Sequence, residues 1–433
     1  MKMRFLLAGL LVVGSFAALA AEENWPRFRG PNGAGISDAT TVPAKWTDAD
    51  YNWKVPLPGL GHSSPVVWGK RIFLTSGDPA TARRLALCLD TATGRTLWQR
   101  EFPSKKFNQN KDNSYTSATP AADADGVVIT WATPDEVMLL ALDNDGRDVW
   151  RRDLGPFVAG HGAAASPIIA EGLVVLANDQ EDPKALPSMY GPNPTQPAGK
   201  SFLIAVDRKT GETRWQAERH TRVAAYSTPC LATSLDGRPE LICTGMSHGI
   251  TGLDLATGKV NWEINTLFRD PNGRCVSSPV LAPGLVIAGY GAGVQGVLYV
   301  AVRPGSREKG IEPKVIYEVK APVPLVPTPV VKDGRLFFWG DSGHVACLKA
   351  DTGETVWREK VNASFYGSPV WVGGRLYCVA KNGDVVVLAA GDRFEVLARV
   401  PLGEPSFTTP AVAGGIMYIR TRGQLFSLGG KKP

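Results

Sequence analysis

Histidine and cysteine are scarce in this 433-residue chain, and neither falls into a pattern that holds a metal or builds a catalytic centre. The six cysteines, Cys88, Cys230, Cys243, Cys275, Cys347 and Cys378, include no adjacent pair and no C-x-x-C. That excludes a zinc ribbon, a covalently held c-type haem and a thioredoxin-like motif. The five histidines, His62, His161, His220, His248 and His344, stand in no H-E-x-x-H, and G-x-S-x-G is missing too. No apolar stripe of 3.6-residue period runs through the chain, so helix should be scarce. Past the first twenty residues nothing is apolar enough over a sufficient length to span a bilayer. The net charge of +6 is diffuse and no basic run is interleaved with aromatics, which argues against nucleic acid.

The start, "MKMRFLLAGLLVVGSFAALAA", reads as a secretory signal over residues 1–20. Lys2 and Arg4 supply the positive end, Phe5 to Leu19 is apolar, and Ala18-Leu19-Ala20 is an A-x-A cleavage site. A secreted or periplasmic location follows, with no transmembrane anchor after cleavage. Residues 21–50 form an N-terminal arm. The Gly and Pro of "NWPRFRGPNGAGIS" forbid a helix, and Trp25 and Phe28 are too apolar to hang free. The arm is expected to pack across the domain, with Arg27 and Arg29 bonding carbonyls or carboxylates; the alternative is a loose leader.

Gly (47) and Pro (33) are plentiful without a collagen period, which in a chain of short apolar runs means many turns. A unit begins at each of eight prolines: Pro65, Pro120, Pro167, Pro229, Pro279, Pro329, Pro369 and Pro410. Their spacing of 40 to 62 residues is that of a propeller blade. Each unit resolves into four short strands rich in β-branched and aromatic residues. The reading is all-β: an eight-bladed β-propeller of four-stranded antiparallel blades over residues 51–430.

One phrase recurs at the third turn of the unit, most completely in "AVDRKTGETRW" (205–215). Asp207 and Thr210 suit the turn backbone, and Gly211 supplies a conformation open to few other residues. Trp215 then falls on the outer strand, able to wedge between blades. Trp98, Trp150, Trp262 and Trp357 hold the same position, while Tyr317 and Leu397 replace it and are expected to dock more loosely. Asp143, Asp145 and Asp148 faintly suggest a calcium loop, but its other ligands are missing and a plain turn is the better reading. The last unit stops after three strands. "YNWKVPL" (51–57) fits the vacant slot with Trp53 in the docking position, so an N-terminal strand closes the final blade.

The A-x-D-x-x-T-G-x-x-x-W phrase, complete at Ala205 to Trp215, resembles the tryptophan-docking repeat of the pyrroloquinoline quinone (PQQ) dehydrogenase family. The resemblance spans about residues 51–430 and extends to secreted PQQ-like repeat proteins and to the propeller subunit of the outer-membrane assembly machinery, which is not an enzyme. For the dehydrogenases it implies a quinone on a tryptophan floor, often under an adjacent Cys-Cys ring, with calcium held by Glu and Asn and an Asp base. This sequence has no adjacent cysteines, and that trio maps onto no positions in it.

Ligands of propellers sit around the central channel. Three positions before the prolines stand His62, Ser117, Ala164, Tyr226, Val276, Val326, Tyr366 and Phe407, which would ring its mouth. With Tyr115, His161 and Arg274 from the adjoining loops, the candidate ligand face is His62, Tyr115, His161, Tyr226, Arg274, Tyr366 and Phe407; simple packing where the blades converge is the competing reading. Long insertions at 101–115 and 178–200 belong to the same face. Lys105, Lys106, Lys111, Arg219, His220, Arg222, Arg269 and Arg274 make it partly basic, suited to an envelope protein or a polar or anionic ligand. Cys230 and Cys243 flank the turn "LDGRPE", where a hairpin would set them nearly opposite and an oxidising compartment would let them pair. Two functions stay open: a non-enzymatic, monomeric binding or assembly scaffold with no cofactor, or a divergent quinoprotein oxidoreductase using PQQ and Ca²⁺ on alcohols or sugars.

Overall fold

The computed structural model describes residues 24–265, 273–291, 297–320 and 322–430, so the expected signal at 1–20 and Arg269 lie outside the described residues. Eight separate sheets make the fold, each with four consecutive antiparallel strands or their equivalent. The third blade is representative: Ile168–Ala170, Leu173–Asn178, Ser201–Asp207 and Thr213–Arg219, running from the channel outwards. The eighth blade takes Ala411–Ala413, Ile416–Arg420 and Gln424–Gly429 from the C-terminus and Tyr51–Pro56 as its outer strand, as the truncated last repeat requires. Among the described residues no helix is long and apolar enough to cross a membrane.

Burial follows from this geometry. Both faces of a blade meet neighbouring blades, so middle strands are continuous apolar runs; all six residues of Val137–Leu142 are buried. Outer strands keep one edge in water and carry charges, as in Asp148–Asp153. Hydrophobic clusters accordingly lie between blades rather than within them.

The repeated hairpin shows what its residues do. The Asp207 carboxylate accepts the N–H groups of Lys209 and Thr210, both at 2.9 Å, and Gly211 has φ +72°. A Cβ on that glycine would lie 2.7 Å from Trp150 of the preceding blade, whose indole N–H donates to the Arg208 carbonyl at 2.9 Å. The same pair of contacts joins Trp98 to Gly146 and Asn144, and Trp215 to Gly258 and Leu255. At the seam between the eighth and first blades, Trp53 meets Gly94 and donates to the Thr91 carbonyl.

Two positions differ from expectation. Tyr317 is not looser: it covers Gly353 and its hydroxyl donates to the Ala350 carbonyl at 2.8 Å, so a phenol reaches where an indole would. Trp262 instead donates to the buried Glu240 of its own blade, because the facing hairpin of the fifth blade has no Thr-Gly turn. The Asp143 turn is a plain one, its carboxylate accepting the N–H of Asp145 and Arg147.

Cys230 and Cys243 do not pair, and all six thiols are free and buried. Cys230 lies opposite Ile242, one residue out of register with Cys243. A one-residue offset puts the two side chains on opposite faces of the blade. Cys230 enters the cluster towards the fifth blade and Cys243 the one towards the third.

The arm does more than cross the surface. Trp25 pairs with Val67 of the first blade, Pro26 accepts the Ala122 N–H of the second, and Asn32 bonds Leu231 of the fourth. Ile36–Ser37 adds a parallel fifth strand inside the seventh blade, along Val370–Val372. In between, Arg29 is wholly buried and donates to the carbonyls of Thr328 (2.9 Å), Pro329 (2.7 Å) and Pro369 (2.9 Å) at the starts of two inner strands. Arg27 bonds the Pro229 carbonyl. The segment therefore lies within the channel and plugs it from one end.

Candidate functional site

The plugged channel leaves a well of about 410 Å³ that opens on the loop-rich end. Its floor includes Phe28 of the arm. Above the floor lies a girdle made by the residue just before each key proline: Ser64, Thr119, Ser166, Thr228, Ser278, Thr328, Ser368 and Thr409. These residues are buried, and the hydroxyl of one blade accepts the backbone N–H of its counterpart in the blade before. Seven such bonds of 2.9 to 3.0 Å are formed, including Thr409 N–H to Ser64 Oγ across the seam. The repeated Ser/Thr-Pro is thus more than a phase marker. Proline holds the preceding residue extended, and the hydroxyl ties the blades together at their narrowest circle.

One step higher, all eight residues three before the prolines line the well. His62 stacks on Phe407 with ring centres 4.4 Å apart, and Tyr366 meets Phe407 edge-on at 5.7 Å. The Lys381 ammonium lies 4.1 Å from the centre of the Tyr366 ring. Burial, reinforced by Arg420 and Arg422, pushes the His62 imidazole down to about 3, so it is neutral at pH 7. Arg420 is itself wholly buried, held by Ser63, Thr75 and Ser76, and desolvation lowers it to about 9.

The opposite wall is built on Glu181, which is fully buried. It accepts from Arg274 (2.6 Å), the Tyr190 hydroxyl (2.6 Å) and the Gly160 N–H (2.8 Å). Arg274, His161 and Tyr226 line the well beside it. Burial, then Arg274, lowers the His161 imidazole, and burial raises the Tyr226 phenol.

Part of the roof comes from the 103–120 loop, which spans the mouth. On one side Asn113 donates to the His161 carbonyl at 2.6 Å; on the other Asp112 accepts from Tyr366 (3.0 Å) and Lys381 (3.3 Å) of the seventh blade. Burial would raise the Asp112 carboxyl, but Tyr366 and Lys381 hold it below the usual range. Sequence reasoning missed Asp112, Glu181 and Lys381, whose roles arise from loops meeting across the channel.

Of the seven candidate residues, six line the well: His62, His161, Tyr226, Arg274, Tyr366 and Phe407. Tyr115 does not. It packs instead against Phe107, with ring centres 5.3 Å apart. Nor is Arg219 a surface charge. It is buried, bonds Asp179 at 2.7 Å and reaches the Thr244 carbonyl of the next blade, acting as a clamp.

The residues lining the well do not fit a quinone with its calcium. The floor carries Phe28 in place of a tryptophan. The Glu181 and Asp112 carboxylates are already engaged by Arg274, Tyr190, Tyr366 and Lys381. No group of three His, Cys, Asp or Glu side chains able to hold a metal exists among the described residues.

Fold and repeat together define a PQQ-like eight-bladed propeller. The family profile described as outer membrane protein assembly factor BamB matches residues 82–326 and 318–428, and the chain belongs to that family. It is 21% identical over 278 residues to the outer membrane protein assembly factor BamB of Moranella endobia, covering 64% of this chain and 66% of that one. With the Yersinia pestis protein of the same name it shares 21% identity over 376 residues, 84% of this chain and 86% of that one. Among solved structures, BamB from Moraxella catarrhalis superposes with a TM-score of 0.58 at 16% identity, covering 87% of this chain and 95% of that one. A europium-containing methanol dehydrogenase superposes at 0.56 with 13% identity, covering 95% and 99%. At these identities the superpositions speak for the fold alone.

Proposed function

We propose that the protein is a non-enzymatic assembly or binding scaffold of the bacterial cell envelope, delivered by residues 1–20 to the periplasm, where it engages an envelope protein through its loop-rich face. The observation that carries this reading is the match to the assembly-factor family over residues 82–428, joined to a well whose carboxylates are already engaged by its own side chains. The long 103–120 and 178–200 segments are the natural contact surface, since loops on a rigid scaffold carry recognition. In this reading the Trp-to-Gly contacts are the docking cement that keeps the face rigid. Photo-crosslinking in intact cells tests it. A crosslinker at Lys111 or Lys184 should trap a discrete envelope protein, while one at Arg147, on an outer hairpin, should not. Absence of adducts from the loop positions would overturn the reading. So would stoichiometric retention of PQQ and Ca²⁺ with oxidation of alcohols.

A further inference from the structure

One wall of the well holds buried polar atoms without hydrogen-bond partners. Arg274 Nε, Tyr226 Oη and His161 Nδ1 are each buried without a hydrogen-bond partner, although all three residues line the cavity. Tyr226 lies beside Arg274, whose charge and side chain both oppose the effect of burial on its phenol, but the two form no hydrogen bond of normal geometry. Buried polar groups left this way are costly, so three on one wall are unusual unless something completes them.

The hydroxyl girdle points the same way. Each hydroxyl that accepts its neighbour's N–H keeps its own proton to donate. Charge adds a third argument. Glu181 and Asp112 offset Arg274 and Lys381. Arg27, Arg29 and Arg420 are buried and form no ion pair among the described residues; Arg420 feels the charge of Glu404. Arg29 lies just beneath the girdle, bonded to the carbonyl of Thr328, itself a girdle residue. In a poorly solvated channel such an excess of cations favours an anion.

From these we infer that the well is a binding site for a singly charged carboxylate with an apolar body, its two oxygens meeting Arg274 and Tyr226 and its body lying against Phe407 and Tyr366. A planar, two-oxygen acceptor matches two donors on one wall. Arg274 is already paired with Glu181, so the wall has little charge to spare, which suits one negative charge rather than the two of a phosphate. Val276, Leu325 and Val326 add apolar surface to the well. This inference goes beyond the scaffold reading and does not depend on which protein docks on the loops.

Calorimetric titration of the purified chain at low salt tests it with two matched pairs: 3-phenylpropanoate against its amide, and Gly-Gly-Phe as free acid against its C-terminal amide. At least one acid should bind, and its amide about tenfold more weakly, since a hydrogen bond to a charged group is worth about that much. Binding of 3-phenylpropanoate alone identifies a free small carboxylate as the ligand class; tighter binding of the tripeptide acid identifies a chain end. Tyr226→Phe removes one donor at constant shape and should weaken the acid about tenfold while leaving the amide unchanged. Arg274→Gln should abolish binding, and circular dichroism shows whether the orphaned Glu181 unfolds it; Tyr226→Phe decides if it does. Equal binding of acid and amide, silence of both acids with folded protein, or an unaffected Tyr226→Phe would overturn the assignment.

Discussion

Trp53→Ala probes the joint between the two ends of the chain. The indole belongs to the strand Tyr51–Pro56, yet its contacts, Gly94 and the Thr91 carbonyl at 3.1 Å, are in the first blade. A fully buried Trp→Ala change costs about 3–5 kcal/mol. Trp53 is only partly buried, so about 2–3 kcal/mol is expected, including about 1 kcal/mol for its hydrogen bond. Trp215, more deeply buried, should give the full value. Gly94 supplies an internal control. Its φ is +71°, and a Cβ there would lie 2.7 Å from Trp53 Cε3. Gly94→Ala should therefore cost about 1 kcal/mol in backbone strain and about 1–2 kcal/mol more in overlap with the indole. Once Trp53 is alanine most of that overlap disappears, so the double variant should be about 1–2 kcal/mol more stable than the sum of the singles predicts. Urea unfolding followed by far-ultraviolet circular dichroism measures all four proteins. A Trp53→Ala cost under about 0.5 kcal/mol, or strict additivity with Gly94→Ala, would refute the idea that this indole seals the ring.

Two further outcomes follow from the buried cations and the neutral imidazole. Arg29→Met strips three inner-strand carbonyls of their donor, at about 1–3 kcal/mol each, partly offset by no longer burying a charge; a clear fall in melting temperature and new protease cuts within 24–42 are expected, and an unchanged melt would contradict the plug. With His62 at about 3 when folded and 6.5 when unfolded, the unfolded state binds the extra proton between those values. Stability should thus decline as pH falls through that window, by at most about 1.4 kcal/mol per unit from this group, and His62→Asn should flatten the decline. Identical acid profiles for the two proteins would show that His62 is not held neutral.

Eight Ser/Thr-Pro steps and a recurring Asp–Thr-Gly–Trp hairpin make the ring legible before any coordinates, because each blade repeats the same local physics. The three-before-proline rule follows too, since all inner strands enter the channel at the same depth. What escapes is whatever has no counterpart in other blades. The two arginines of the arm could be seen to need acceptors, but nothing local placed those acceptors inside the channel, 202 to 340 residues away. Asp112 meets Tyr366 only because a loop happens to cross the mouth. Cys230 and Cys243 mislead because a hairpin's symmetry in sequence ignores a one-residue shift in register. One more signal is local: a hydroxyl precedes each of the eight prolines, and the repeat alone does not say that it ties neighbouring blades.

The placement of the arm and of the strand Tyr51–Pro56 carries a consequence for biosynthesis. The ribosome makes both long before their partners: Gln424–Gly429 for the strand, Val370–Val372 for the arm. Blades two to six can condense in order as they emerge, whereas Ile36–Ser37 and Tyr51–Pro56 must wait for the seventh and eighth blades, although Trp25 and Trp53 already have neighbours in the first. Contacts this distant in sequence slow folding and leave sticky segments unpaired in the interval. The chain's own timetable therefore creates a period in which its N-terminus has to be kept from other chains, and a nascent product stalled before residue 424 would lack the partner of its closing strand.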